Sequence, residues 1–247
     1  MDLLYDAAGQ TCWISVKQSE TIRYLELNGC EEGAMYRQSD DPVFRYLWFH
    51  HCSRLAAQAR RLLVLGAGAF TAPKCLALNH SEARIDVVDM EPDLEHVARR
   101  FFRLDRPYYA RIAFHGLLAE AFLKSAAPPY DFVFDDLFDG FQHVPDQSRT
   151  RAHFEQARSL LGGDAIFVKN VIWSSNSAHA RAACEEAQQT LADVFRHHLV
   201  LALGKPDLGH NRLLIGSTGQ VPLQWKAMKA LFKGSVPAHV LETAEAL

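Results

Sequence analysis

The sequence contains no run of about 18 apolar residues, the length a helix needs to cross a membrane. Its first ten residues, MDLLYDAAGQ, carry neither the basic start nor the apolar stretch of a secretory signal. These two absences predict a cytoplasmic chain without a membrane partner. Five cysteines, Cys12, Cys30, Cys52, Cys75 and Cys184, form no CxxC pair, which argues against a zinc site and a complete disulfide framework and predicts reduced thiols. No excess of positive charge is present: 26 Lys and Arg against 29 Asp and Glu leave a net charge of -3, so no nucleic-acid partner is expected. No GxxxxGK[ST] loop occurs, nor a GxSxG elbow in Ser-His-Asp order, which removes P-loop and α/β-hydrolase chemistry. The paired histidines His50-His51 and His197-His198 are chain neighbours that point about 100° apart on a helix, so no metal is expected.

What is present is a core-forming chain of 247 residues, 49% of them hydrophobic. Trp13 to Lys17 and Ile22 to Leu27 alternate as strands, Asn28-Gly29 supplies a turn whose residues tolerate positive φ, and Glu31 to Met35 returns as a third strand. A small antiparallel β domain is therefore expected over 1–40. Phe44, Leu47, Trp48 and His51 then share one helical face, with Asp40 or Asp41 as N-cap and Pro42 in the first turn.

From Leu62 onward strands and helices alternate. Strands are expected at Leu62 to Leu65, Arg84 to Val88, Arg111 to Phe114, Phe132 to Phe134, Ala165 to Val168, Leu199 to Leu203 and Arg212 to Ser217. Helices are expected at Thr71 to Leu78, Pro92 to Phe102, Leu118 to Lys124, Arg149 to Leu161 and Ala178 to Phe195. This alternation predicts an α/β fold over 41–220, a Rossmann-like, mostly parallel sheet covered on both faces, with 221–247 as a helical tail.

Two segments carry chemistry. In Leu65-Gly66-Ala67-Gly68-Ala69-Phe70-Thr71 the small residues let a strand-to-helix turn approach a ligand, and Asp89 ends the next strand about twenty residues on, where an acid meets ribose hydroxyls. Thr71 at the third position of the dinucleotide fingerprint, and the run Asp89-Met90-Glu91-Pro92, lean toward an S-adenosylmethionine-type nucleoside. The second segment, Tyr130-Asp131-Phe132-Val133-Phe134-Asp135-Asp136-Leu137-Phe138-Asp139-Gly140, delivers carboxylates to the C-terminal edge of the sheet. Asp136 and Asp139 there could hold a cationic amine and take its proton, freeing a lone pair for attack on a sulfonium-activated carbon. Capping of the next turn is the alternative role for acids in that place.

These motifs resemble the polyamine aminopropyltransferases typified by spermidine synthase. Leu25-Glu26-Leu27-Asn28-Gly29 is similar to the family's Leu-x-Leu-Asp-Gly, Phe44 to His50 to its Tyr-Gln-Glu helix, Val88 to Pro92 to its Glu-Ile-Asp-Pro, and Asp136-Leu137-Phe138-Asp139 to its catalytic loop. The resemblance implies a class I methyltransferase-type sheet behind a small N-terminal β domain, a homodimer, and aminopropyl transfer from decarboxylated S-adenosylmethionine to a small amine acceptor. Asp136 would deprotonate the acceptor, Asp139 would help bind it, and Gly66, Gly68, Asp89 and Met90 would hold the donor.

The chain also departs from the family. Ala69 stands where an acid approaches the substrate's amines, Leu117 where an acid contacts adenine, Arg45 for a glutamine, Phe44 for a tyrosine, and Lys169-Asn170-Val171 in the segment of a glutamate that holds the far amine, while Trp173 is retained. With Arg45 and Lys169 lining the region, a dication would bind poorly there. The expectation is a less positively charged acceptor, or S-adenosylmethionine itself with its carboxylate paired to Arg45 or Lys169. Methyl transfer, or a binding protein that keeps the fold without the chemistry, are the alternatives.

Overall fold

The computed structural model describes residues 1–127, 129–141, 143–204, 210–219, 221 and 223–247. The chain opens with a four-stranded antiparallel meander, β1 (Asp2–Ala8), β2 (Trp13–Gln18), β3 (Ile22–Leu27) and β4 (Cys30–Tyr36), in the order β1-β2-β3-β4. The turn between β3 and β4 forms at Asn28-Gly29, with φ of 51° and 84°, as positive φ at both central residues of such a turn requires. Strand β1 has no counterpart in the sequence reading, because Asp2-Leu3-Leu4-Tyr5-Asp6 does not alternate; it lies at the edge of the meander and leaves Leu3 exposed.

The expected helix after Pro42 is a 3₁₀ helix, Arg45–Leu55, that begins without a side-chain cap. Its anticipated cap is engaged elsewhere. Asp40 accepts the buried Lys74 Nζ at 3.0 Å and Arg106 at 3.2 Å, and Pro42 bridges Met35 as an extension of the meander.

The second sheet contains β5 (Arg61–Leu65), β6 (Arg84–Asp89), β7 (Ile112–Gly116), β8 (Tyr130–Asp135), β9 (Leu161–Trp173), β10 (His197–Leu203), β11 (His210–Ser217) and β12 (Ala244–Ala246), ordered β12-β10-β11-β9-β8-β5-β6-β7. Strands β5 to β9 run parallel, and β11, β10 and β12 add antiparallel pairs. The connecting helices are α1 (Thr71–Asn79), α2 (Leu94–Phe101), α3 (Ala119–Ser125), α4 (Arg151–Ser159) and α5 (Ala178–Val194). The expected α/β class and N-terminal β domain are both present. The last segment, read as helical, folds as α6 (Trp225–Phe232) and α7 (Ala238–Glu242) and then supplies β12 as an edge strand against β10.

Strand order reverses between β5 and β8, which lie side by side although α1, β6, α2, β7 and α3 separate them in the chain, so a crevice opens beyond their C-terminal ends. Two layers of apolar side chains sandwich this sheet. One joins the meander, α1, α2 and the C-terminal helices through Ile14, Val16, Leu76, Phe102 and Phe232; the other lies under α3 to α5 around Phe154, Phe167 and Leu191.

One carboxylate contributes several of the hydrogen bonds that tie the meander to the main sheet's domain. Glu91, 1% exposed, accepts the backbone N–H of Thr11 at 2.6 Å, the Thr11 hydroxyl at 2.8 Å, and the N–H groups of Cys12 and Gln10 at 3.2 Å each. Read from sequence, Glu91 was only a residue beside Asp89. Among the described residues no helix is long and apolar enough to cross a membrane.

Candidate active site

The turn after β5 sets the floor of the crevice. Gly66 has a φ of 91°, and a Cβ there would run into the Asp136 carbonyl, while a Cβ on Gly68 would come within 2.9 Å of the Glu32 carbonyl on β4. Only glycine lets this loop sit between the end of β8 and the meander. Asp89 at the tip of β6 braces the same loop: one oxygen accepts the Ala67 N–H at 2.8 Å and the other the Glu91 N–H at 3.0 Å. Burial raises the Asp89 carboxyl above its ordinary value.

A cavity of about 400 Å³ fills the crevice, and Gly66, Gly68, Asp89, Met90, Asp136 and Asp139 all line it. Six of the eight residues singled out from sequence are therefore brought together. The other two differ. Leu117 packs on the apolar layer under α3, and its neighbour Leu118 lines the cavity instead. Arg45 lines an adjoining cavity of about 250 Å³, which shares Glu32, Tyr46 and Phe138 with the first.

Asp136 is the best-defined polar group of the site. Its Oδ2 accepts the Tyr46 hydroxyl at 3.0 Å and its Oδ1 the Asn170 amide at 2.8 Å, and Asn170 in turn accepts from the Asn211 amide at 3.0 Å. Burial pushes the Asp136 carboxyl up to about 6, against the lowering effect of the Asn170 and Tyr46 hydrogen bonds. Tyr46, raised well above its ordinary value by burial and by Asp136, stays protonated as a donor. Sequence reading missed Tyr46 and the Asn170 amide, although both lie inside segments it had singled out; what joins them to Asp136 is tertiary.

Asp139 occupies the role of a turn cap. Its Oδ1 accepts the N–H groups of Phe141 at 2.8 Å and His143 at 3.1 Å, and its Oδ2 lies 3.3 Å from the His143 ring. It lines the cavity while holding the loop.

Two electrostatic expectations are corrected. Lys169 does not face the cavity: it is fully buried, paired with Asp135 at 2.9 Å and within 3.3 Å of the Ser148 hydroxyl. Asp135 also accepts His153 at 2.7 Å. Burial would raise the Asp135 carboxyl, but Lys169 and then His153 hold it at about 2. Ala69 is buried against the meander, its Cβ only 2.6 Å from where a Gly33 Cβ would stand, and it is not among the cavity's lining residues. Further carboxylates come from positions the sequence reading passed over. Glu32 and Glu120 join Asp89, Asp136 and Asp139, and among the described lining residues of the larger cavity there is no lysine or arginine.

No protein-family model matches the chain. The polyamine aminopropyltransferase of Vibrio vulnificus (strain CMCP6) is 28% identical over 144 residues, 55% of this chain and 47% of that protein. That of Streptococcus pneumoniae serotype 4 (strain ATCC BAA-334 / TIGR4) is 26% identical over 169 residues, 65% of this chain and 57% of its own length. The matches thus span about half the length of these curated relatives. Among solved structures, a probable spermidine synthase from Corynebacterium glutamicum ATCC 13032 superimposes with a TM-score of 0.80 at 21% identity, over 100% of this chain and 91% of that one. The spermidine synthase from Thermotoga maritima gives 0.71 at 12% identity, over 98% and 82%. The resemblance read from the motifs is borne out by these matches, and the fold is the one those synthases share.

Proposed function

We propose that this chain, a divergent relative of the polyamine aminopropyltransferases, is an aminopropyl transferase acting from decarboxylated S-adenosylmethionine onto a small amine. The observation that carries this reading is the acidic cavity lined by Asp136. A donor and an acceptor that are both cationic suit a wall bearing Glu32, Asp89, Glu120, Asp136 and Asp139. No lysine or arginine stands among the described lining residues of the larger cavity to pair with the carboxylate of S-adenosylmethionine, which favours the decarboxylated donor over methyl transfer.

The chemistry needs little beyond alignment and one proton transfer. Asp136 accepts a proton from the acceptor's ammonium group. The freed nitrogen lone pair attacks the propyl carbon attached to the sulfonium; a C–N bond forms, the C–S bond breaks, and its electron pair neutralises sulfur in the departing methylthioadenosine. A carboxyl held at about 6 is a workable base near neutral pH, since it is ionised yet still attracts a proton. Tyr46 and Asn170 hold its two oxygens in place. Asp89 would take the ribose hydroxyls, the Gly66 to Gly68 turn would receive the donor's tail, Met90 would flank the base, and Asp139 would add charge near the amine. Arg45 lines the adjoining cavity, where its charge would disfavour a second ammonium group on the acceptor.

Asp136→Asn tests the assignment: turnover is expected to vanish while donor affinity stays within a few fold, and a fully active variant would refute it. Thermal-shift comparison of S-adenosylmethionine, its decarboxylated form and methylthioadenosine, each with and without putrescine, tests the donor. Stronger stabilisation by the decarboxylated donor is expected, and stronger stabilisation by S-adenosylmethionine would overturn the charge argument.

A further inference from the structure

The edge of the second sheet opposite the crevice carries a cluster of charge that the proposed reaction does not use. Arg61 is the first residue of β5 and Arg84 the first of β6, and the parallel register sets the two side by side. Residues paired in this way project from the same face of a sheet, so their guanidinium groups share one patch. Arg111, the residue before β7, adds a third cation at the same edge. Like charges placed opposite one another on neighbouring strands are destabilising. Even so, none of the three arginines forms an ion pair among the described residues.

The three differ in how firmly they are held. Arg111 spends its donors on carbonyl groups at and beyond the end of α1, those of Ala77 and His80 at 3.0 Å each, and is thereby fixed in place. Arg61 lies over the Tyr130 ring, 4.7 Å from its centroid. The side chain of Arg84 is exposed and has no hydrogen bond, ion pair or ring contact among the described residues. Asp86 lies two residues along β6, but its carboxylate is already committed: Oδ1 is 2.8 Å from the His115 Nε2, and Oδ2 accepts the Tyr130 hydroxyl at 2.8 Å.

A cavity of about 640 Å³ opens at this place, lined by the three arginines and Asp86, with Ala110 and Ala113 too small to fill it. A concave site of that size suits a small ligand. Its excess of positive charge selects an anion, and guanidinium groups are matched to phosphate, whose oxygens they bind two at a time. We propose that this cavity binds a compact polyphosphate, either inorganic or the phosphate chain of a nucleotide, held between Arg61 and Arg84 with Arg111 supplying charge from a fixed position. The site is independent of the transferase reading, since the crevice lies beyond the other ends of the same strands.

Calorimetric titration of the full chain with tripolyphosphate and with ATP, at a fixed ionic strength of about 0.15 M, tests the site. Saturable one-to-one binding of tripolyphosphate is expected, weakened about tenfold or more by Arg84→Gln. Arg151→Gln, which removes an exposed arginine of α4 outside this cavity, should change it by less than about twofold. Because the Arg84 side chain has no partner to lose, Arg84→Gln without ligand should melt no lower than the wild type, as relief of repulsion requires. ATP that binds no more tightly than tripolyphosphate assigns the site to the phosphate chain alone, and tighter binding of ATP that Arg84→Gln also weakens assigns it to a nucleotide; either supports the proposal. A failure of tripolyphosphate to bind, equal weakening by Arg84→Gln and Arg151→Gln, or a lower melting temperature for unliganded Arg84→Gln overturns it.

Discussion

Replacing Lys169 with methionine removes the cation paired with Asp135, a carboxylate that is itself fully buried. Methionine roughly matches the lysine stem in volume, so the change isolates charge from packing. At pH 8 Asp135 would be left with His153 alone, and breaking a buried ion pair from one side costs about 3 to 5 kcal/mol. The sign with pH follows from the carboxyl held at about 2, below an ordinary value of about 3.9. In the wild type this depression contributes roughly 2 to 3 kcal/mol, fully present above about pH 4 and lost as pH falls toward 2. In Lys169→Met the largest cause of the depression is gone, only His153 still lowers the carboxyl against burial, and the variant can relieve its poorly paired charge by taking up a proton as the solution becomes acidic. The gap between the two proteins should therefore be widest at pH 8 and narrow by pH 5. Urea unfolding at both pH values measures it. The double variant Asp135→Asn with Lys169→Met should recover most of the loss, because an uncharged buried pair has no charge left uncompensated. A loss under about 1 kcal/mol at pH 8, or one that does not shrink in acid, would refute the reasoning.

Tyr46→Phe removes one of the two donors that lower the Asp136 carboxyl. The acid limb of kcat/KM, expected near pH 6 in the wild type, should move upward, so that activity falls more at pH 6 than at pH 8.5; an unchanged profile would mean that Asp136 is not the titrating base. Glu91→Ala strips the acceptor from the Gln10 to Cys12 turn, and we expect a loss of about 2 to 4 kcal/mol with faster hydrogen exchange at Thr11 and Cys12. Exchange at those amides indistinguishable from the wild type would show that the turn holds itself.

Elements with strong local signals were legible in the sequence. The turn at Asn28-Gly29, the Gly66 to Gly68 loop, and the strands ending in Asp89 and Asp135 announce themselves by residue type and spacing. Strand β9 was not, beyond Ala165 to Val168, since Gly162-Gly163-Asp164 imitates a turn and Lys169-Asn170 imitates an exit from the core. Asp164 does adopt a φ of 56°, yet the strand continues around it. Burial of Lys169 depends on Asp135 standing opposite it in the parallel register, and no local rule anticipates a buried lysine. Likewise Asp40, which with Asp41 was expected as the cap, is engaged by Lys74, Arg103 and Arg106, three cations that folding brings from α1 and from beyond α2. The site's acids were read correctly as a cluster at the sheet edge, but their division of labour was not. Asp135 belongs to the interior, Asp136 to the cavity and Asp139 to a loop, and only the fold separates three carboxylates lying within a five-residue stretch.

The junction of β8 and β9 has a consequence for how the chain can vary. Asp135 faces Lys169 on one side of the sheet, and the next residues along, Asp136 and Asn170, meet on the other. Since successive side chains alternate between faces, sliding β8 by a single position would send Asp136 to the buried face and Asp135 to the other, and sliding β9 would do the same to Asn170 and Lys169, so either slip breaks both pairs. Alignment of these strands is therefore checked twice by one displacement, once by stability and once by turnover. An insertion or deletion in the β8–β9 connection is tolerable only if all of it is absorbed before Leu161, whereas Asp135, Asp136, Lys169 and Asn170 can change only as matched pairs.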